Sequence, residues 1–176
     1  MTELLLPLLS AMVSGAFATL FLFSAGYRLF NLKRAVAAVG AYRVVPAHLA
    51  WLVTFLLVLL EIIVGLWLVM GVKKVGAAVM AAGLLAIFAG AMIVNIARGR
   101  RDLKCGCLPG LHATVSGRTA WLNILLANII LYLGMMPRPT SFIEDWIGMA
   151  LGGVILLLCI SGLSMLQQPP VDQDEG

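Results

Sequence analysis

The chain has 176 residues, of which 62% are hydrophobic and only 11% are charged, with a formal net charge of +4. This composition excludes an ordinary soluble domain and is typical of an integral membrane protein. The twelve Lys and Arg residues lie in short segments between apolar runs, without a basic stripe or interleaved aromatic residues. We therefore expect a lipid bilayer as partner and no nucleic acid.

Five apolar segments are long enough to cross a bilayer, since a hydrocarbon core of about 30 Å requires about 20 helical residues. The predicted spans cover residues 4–27, 47–70, 75–97, 119–136 and 146–166. The predicted fold is all-α: one polytopic membrane domain over residues 1–166, built as a bundle of about five transmembrane helices. The remaining residues, 167–176, contain two prolines and three acidic residues and are predicted to be a disordered tail.

The first predicted span lacks the cationic start of a signal peptide, because no Lys or Arg precedes Arg28. We expect it to be retained. Small residues at Ala11, Gly15 and Ala18 could form a close-packing helix face. The following segment, residues 28–48, mixes apolar residues with four cations and is predicted to be amphipathic and to lie on the membrane surface, up to a helix start at Pro46. The cations are Arg28, Lys33, Arg34 and Arg43.

Polar residues inside the later spans are candidates for buried contacts. Glu61 falls near the middle of the second span, where it must be protonated, paired or directed at a polar interior. It could bond neighbouring helices or serve proton or quinone chemistry. Asn123 and Asn128 of the fourth span are expected to face protein rather than lipid. In the fifth span, Gly148 and Gly152 form a GxxxG pattern that indicates helix association.

The longest polar interruption carries Cys105-Gly106-Cys107 between the third and fourth predicted helices. Nearby cations favour the thiolate, which is the nucleophilic form of cysteine. Two cysteines one residue apart can close only a very short disulfide ring, and such strained bonds are usually labile, catalytic or regulatory. A static pair remains the alternative. The third cysteine, Cys159, is predicted to be a packing residue in the fifth span.

A metal site is the rival interpretation of this loop, because Cys105, Cys107 and His112 are potential ligands within eight positions. A closed zinc site requires four ligands, and the sequence supplies no fourth nearby. Copper(I) accepts fewer soft ligands and remains a second alternative. The main prediction includes neither a metal nor a resident cofactor.

Loop charge predicts which side of the membrane carries the cysteines. The first and third connections together contain nine cations, whereas the opposite face contains three. The positive-inside rule places the cation-rich connections, and with them the cysteine loop, in the cytoplasm. The nine are Arg28, Lys33, Arg34, Arg43, Arg98, Arg100, Arg101, Lys104 and Arg118, and the three are Lys73, Lys74 and Arg138.

The order of these motifs resembles the MauE family of methylamine utilisation proteins and, more distantly, DoxX-like membrane proteins. The likeness covers residues 4–166 and combines three features of the second, third and fourth helices. They are Glu61 followed by Gly65 and Gly71; the run Asn95-Ile96-Ala97-Arg98-Gly99 followed by Asp102 and Cys105-Gly106-Cys107; and the amides Asn123 and Asn128.

The resemblance implies a multi-pass protein of the bacterial inner membrane that serves methylamine dehydrogenase. Such proteins are thought to act with the thioredoxin-like protein MauD in processing, export or maturation of the small (β) subunit precursor. Carried over by position, Cys105 and Cys107 would be the catalytic redox pair of a thiol-disulfide exchange relay. Their supporting residues would be Glu61, Asn95, Arg98 and Asp102.

Two questions stay open at the level of sequence. The dehydrogenase subunit is periplasmic, so the resemblance implies a periplasmic cysteine loop, in conflict with the cation count. We favour the periplasmic side, with the first connection as a surface helix and the cations after Arg98 as thiol activators. The alternative function is a non-catalytic scaffold or export partner that uses Gly148, Gly152 and the surface segment as contacts.

Overall fold

A computed structural model describes residues 2–71, 74–100, 116–136 and 142–166. These residues contain helices only, which confirms the predicted all-α class. In chain order the elements are α1 (Thr2–Phe30), α2 (Leu32–Ala41), a 3₁₀ turn (Ala47–Leu49), α3 (Ala50–Met70), α4 (Lys74–Ala97), α5 (Gly117–Gly134) and α6 (Phe142–Leu166). The cysteine loop and the predicted acidic tail, 167–176, lie outside the described residues.

Four of these helices are long and apolar enough to cross a bilayer, so the chain is a multi-pass membrane protein. The apolar stretches are Leu6–Phe30, Ala47–Met70, Val75–Ala97 and Ile143–Gly162. Helix α5 has 18 residues and is not among them. It contains Arg118 and two asparagines, which lower its apolar character. A fifth crossing therefore remains a prediction.

Helix α1 organises the bundle by packing against both α6 and α3, while α4 packs mainly against α5. The largest core cluster joins Phe17 and Phe21 of α1 to Val64 of α3, Leu84 of α4 and Ile130 of α5. Lipid tails are as apolar as these side chains, so burial from lipid contributes little. Tight van der Waals packing and buried polar contacts must stabilise the bundle instead.

Glycines bring α1 and α6 into backbone contact. A side chain on Gly15 would overlap the backbone of Met149, and one on Gly152 would overlap the backbone of Met12. The predicted close-packing face of α1 and the GxxxG pattern thus meet each other within one chain. This contact contradicts the use of Gly148 and Gly152 as free contacts for a partner, since Gly148 also faces Ala11.

The first connection differs from its prediction at Arg28. Helix α1 continues to Phe30, so Arg28 belongs to its last turn and is buried rather than exposed to headgroups. The short helix α2 contains no buried residue and packs beside α3, with Lys33 and Arg34 exposed. The 3₁₀ turn before α3 begins directly after Pro46, as predicted.

The two asparagines of α5 have different environments. Asn123 is buried and donates its side-chain NH₂ to the Thr119 carbonyl at 2.9 Å. Asn128 is exposed and donates to the Ile124 carbonyl of its own helix at 2.8 Å. The expectation that both amides face protein rather than lipid is therefore confirmed within this chain for Asn123, and for Asn128, which is exposed, it stays a prediction.

We predict that Gly152→Leu lowers the free energy of unfolding by about 1–3 kcal/mol, because α6 must move away from α1 to accommodate the side chain. Unfolding in mixed detergent micelles measures this change. The matched control is Gly162→Leu on the same helix, where an added Cβ meets nothing within 4 Å. Equal effects of the two substitutions would contradict the backbone contact.

Candidate functional site at the cysteine end of the bundle

The predicted redox cysteines, Cys105 and Cys107, lie outside the described residues, as do Asp102 and the alternative copper ligand His112. The structure describes the two helix ends that border their segment, together with the predicted supporting residues Glu61, Asn95 and Arg98. Cys159 is exposed on α6, so its predicted packing role is wrong. The candidate site therefore consists of these two helix ends and the supporting residues beneath them.

Helix α4 ends in a Schellman motif, a hydrogen-bonded reversal that fixes the direction of the departing chain. The Arg100 amide donates to the Asn95 carbonyl at 3.0 Å, and the Gly99 amide donates to the Ile96 carbonyl at 2.9 Å. Gly99 has the left-handed conformation that this motif requires, with φ of 73°. Only glycine adopts that conformation without steric cost.

Helix α5 begins with a capping box at Ser116. The Ser116 hydroxyl accepts a hydrogen bond from the Thr119 amide at 3.3 Å, and the Thr119 hydroxyl accepts one from the Ser116 amide at 2.9 Å. These bonds satisfy amides that a helix start leaves without intrahelical partners. Both ends of the intervening segment are thus defined by local hydrogen bonds.

Arg98 joins the end of α4 to the connection between α2 and α3. Its Nη1 donates to the Arg43 carbonyl at 2.9 Å, and Arg43 itself has a positive φ of 48°. Arg98 was predicted to support the cysteine pair, and the contact that the structure gives it is with backbone. The guanidinium therefore ties two connections together at the end of the bundle that carries the cysteine segment.

Asn95 lies one turn deeper on α4 and is fully buried. Its side-chain NH₂ donates to the Ala91 carbonyl at 2.9 Å, while its Oδ1 has no hydrogen-bond partner among the described residues. Leaving a buried acceptor unpaired costs about 1–3 kcal/mol. Asn95 therefore offers an acceptor just inside the helix end that leads to the cysteines.

A buried ion pair lies deeper in the bundle, between α1 and α3. Arg28 Nη1 is 3.3 Å from Glu61 Oε1, and the Ser24 hydroxyl donates to the same oxygen at 3.2 Å. Glu61 is only 1% exposed and Arg28 is 9% exposed. Of the possibilities left open for Glu61, the structure shows pairing. Sequence reasoning treated Arg28 as a surface cation and missed this partner.

The ion pair also involves α4, because the Arg28 guanidinium carbon lies 5.2 Å from the centre of the Phe88 ring. A cation over an aromatic face is stabilised by the ring quadrupole. The second carboxylate oxygen, Glu61 Oε2, makes no hydrogen bond within the described parts of the chain. Ser24 and Arg28 are four residues apart on one helix face, which was the signal in the sequence that they could share a partner.

A pocket lies elsewhere among the described residues, between α1, α3 and α6. It has a volume of about 190 Å³ and is lined mainly by apolar residues, among them Leu22, Val69 and Trp146. Thr19 is the polar residue of this lining, which contains no titratable side chain. Acid-base or thiol chemistry therefore has no candidate residue in the pocket.

We predict that Gly99→Ala lowers the stability of the α4 C-terminal turn by about 1 kcal/mol, because a Cβ disfavours the left-handed conformation. Faster amide hydrogen exchange in the last turn of α4 is the expected result. Gly90→Ala, within the same helix and with open space around the added atom, is the control. Unchanged exchange after Gly99→Ala would contradict the Schellman motif.

We also predict strong coupling between Arg28 and Glu61. Arg28→Met or Glu61→Leu alone leaves a buried charge unpaired and should lower the free energy of unfolding by about 3–5 kcal/mol. The free energy of unfolding should fall less in the double variant than the sum of its decreases in the two single variants. Arg34→Met, at an exposed position of α2, is the control. Additive losses measured in mixed micelles would contradict a direct pair.

Known proteins with similar sequences share most of the length of this chain. The family model described as methylamine utilisation protein MauE matches residues 6–136, from α1 to the end of α5. The MauE protein of Paracoccus denitrificans is 33% identical over 159 residues, which cover 85% of this chain and 86% of that protein.

Two further relatives carry the same description. MauE of Methylophilus methylotrophus is 30% identical over 139 residues, covering 76% of this chain and 72% of that protein. MauE of Methylorubrum extorquens is 33% identical over 157 residues, covering 86% of this chain and 83% of that protein. No solved structure gives a significant match. On the extent of these matches, the chain belongs to the MauE family of methylamine utilisation proteins.

Proposed function

We propose that this protein is an accessory factor for methylamine dehydrogenase in the bacterial inner membrane, acting as a thiol-disulfide relay. Its Cys105 and Cys107 exchange with a thioredoxin-like partner of the MauD type, which acts on the small subunit precursor during maturation. Family membership supports the pathway. The observation that carries the relay is that a Cys-Gly-Cys segment joins two helix ends defined by hydrogen bonds, at Gly99 and Ser116.

The exchange is a two-electron transfer between two dithiol pairs. A thiolate of the reduced partner attacks one sulfur of the Cys105–Cys107 disulfide, so that bond breaks and a mixed disulfide forms. The second partner thiolate then attacks the mixed disulfide, which leaves an oxidised partner and two reduced cysteines in this chain. Two electrons and two protons move in total. The reverse sequence is equally balanced, and a single turnover requires no further oxidant.

The supporting residues have distinct roles in this proposal. Arg98 holds the start of the cysteine segment against the α2–α3 connection through its bond to the Arg43 carbonyl. Asn95 Oδ1, which is buried and unpartnered among the described residues, offers a hydrogen-bond acceptor below the segment. Asp102, which lies within the segment, is the fourth proposed supporting residue. Glu61 maintains the bundle beneath it through Arg28.

We propose five membrane crossings, with α5 as the additional one and the cysteine segment on the periplasmic face. The buried position of Arg28 removes one cation from the nine of the sequence count, so the bias toward the cytoplasm is smaller. The Arg98 guanidinium is engaged by a backbone carbonyl. A periplasmic loop suits a periplasmic substrate.

We predict that Cys105→Ser and Cys107→Ser each reduce the yield of active methylamine dehydrogenase at least tenfold, because neither variant can form the exchanging disulfide. The membrane level of this protein should not change. Cys159→Ala is the control, since its exposed thiol lies on α6 and outside the proposed relay. Full maturation of the dehydrogenase with both cysteines replaced would overturn the relay and favour the alternative function, a non-catalytic scaffold or export partner.

Cells that produce the Cys159→Ala variant, which retains both Cys105 and Cys107, determine the side of the membrane. A membrane-impermeant thiol reagent should label intact cells only after mild reduction, as expected for an oxidised pair in the periplasm. Labelling that requires cell lysis would place the segment in the cytoplasm and overturn the periplasmic assignment.

A further inference from the structure

Helix α5 has an exposed face that includes the polar side chain of Asn128. Its buried side is formed by Ala120, Asn123, Ile130 and Gly134. On the opposite side, five exposed residues follow one another at alternating intervals of four and three. They are Trp121, Leu125, Asn128, Tyr132 and Met135, the last being the residue after the helix. This spacing forms a single straight seam, as in the contact line of paired helices.

Asn128 lies within this seam, six residues before the end of α5. Its side chain donates one hydrogen bond to the Ile124 carbonyl, and no partner among the described residues is given for its second N–H or its Oδ1 lone pairs. In hydrocarbon, such groups favour a hydrogen bond to another helix. The amide is both donor and acceptor, so it is complementary to a second copy of itself.

Asn128 is one of the polar residues that keep α5 from the apolarity of a membrane span, which the other long helices that the structure describes do reach. The other asparagine of α5, Asn123, is buried within the bundle, so Asn128 is the amide on the exposed side. A dimer through this face requires the proposed crossing of α5 and is independent of the thiol chemistry.

We propose that the α5 seam is the contact surface of a homodimer in which two copies of the chain meet in parallel about a two-fold axis normal to the membrane. All copies insert with the same orientation, so each residue of the seam meets its own counterpart, and the two Asn128 amides form reciprocal hydrogen bonds. The N-terminal ends of the two α5 helices, which follow the cysteine segments in the sequence, then lie side by side.

The test measures self-association of the full-length protein in lipid vesicles. Protein carrying a C-terminal fluorescent protein is diluted into phosphatidylcholine vesicles under reducing conditions, and single-molecule photobleaching counts subunits per vesicle. We expect a dimer whose dissociation constant increases about tenfold in Asn128→Leu and little in Asn128→Gln. Reducing conditions eliminate disulfide-linked dimers.

Paired variants on two exposed helix faces locate the contact. Leu125→Trp, on the seam, should disrupt the dimer, whereas Leu151→Trp on α6 should not, although the two leucines are equally exposed at 44% and 46%. In a background without the three native cysteines, Leu125→Cys should crosslink two copies upon oxidation and Leu151→Cys should not.

A monomer at every protein density, or a dimer indifferent to Asn128→Leu and Leu125→Trp, would overturn the proposal. A monomer that becomes a heterodimer only when a membrane-anchored thioredoxin-like protein is added would also overturn it and assign the seam to that partner. None of these outcomes bears on the thiol relay, which is tested separately by the cysteine variants.

Discussion

The buried pair between Arg28 and Glu61 constrains the arrangement of three helices. A charge inside a membrane protein must be paired, because neither lipid nor an apolar core solvates it. Glu61 on α3 is 1% exposed and Arg28 on α1 is its partner, while the Phe88 ring of α4 packs against the guanidinium. Sliding or rotating any one of these helices would separate the groups. The pair therefore fixes the depth at which α1, α3 and α4 meet, in a bundle that receives little help from hydrophobic burial.

Between this pair and the cysteine segment, hydrogen bonds fix the two helix ends that border the segment. Arg98 bonds the Arg43 carbonyl, Gly99 completes the Schellman motif and Ser116 caps α5. The Schellman motif and the capping box are local, whereas the Arg98 bond joins two connections that are distant in sequence. All three involve backbone groups, and together they define where the segment leaves and re-enters the bundle. Reactive thiols benefit from such fixed ends, because exchange with a partner requires the sulfur atoms to be presented in line with an incoming thiolate.

The sequence predicted the helices well and their partners less well. Long uncharged runs identify a membrane helix almost by themselves, since backbone groups in lipid must bond internally. The run after Arg28 was harder to assign: Leu29 and Phe30 extend α1, but a cation at the end of an apolar run usually marks a membrane surface. Only the position of Glu61 across the bundle makes Arg28 a buried partner. The surroundings of Asn128 were hard to predict for a related reason, because an amide in a span indicates a polar contact without saying which molecule supplies it.

The backbone contacts of Gly15 with Met149 and of Gly152 with Met12 have a consequence for the biogenesis of the protein. These two glycines are separated by most of the chain, so α1 enters the bilayer long before α6 is synthesised. During that interval the glycine face of α1 is covered by lipid or by the insertion machinery. Native assembly can therefore be completed only after the last helix has been made. A chain truncated before α6 would leave this face of α1 without the helix that packs against it.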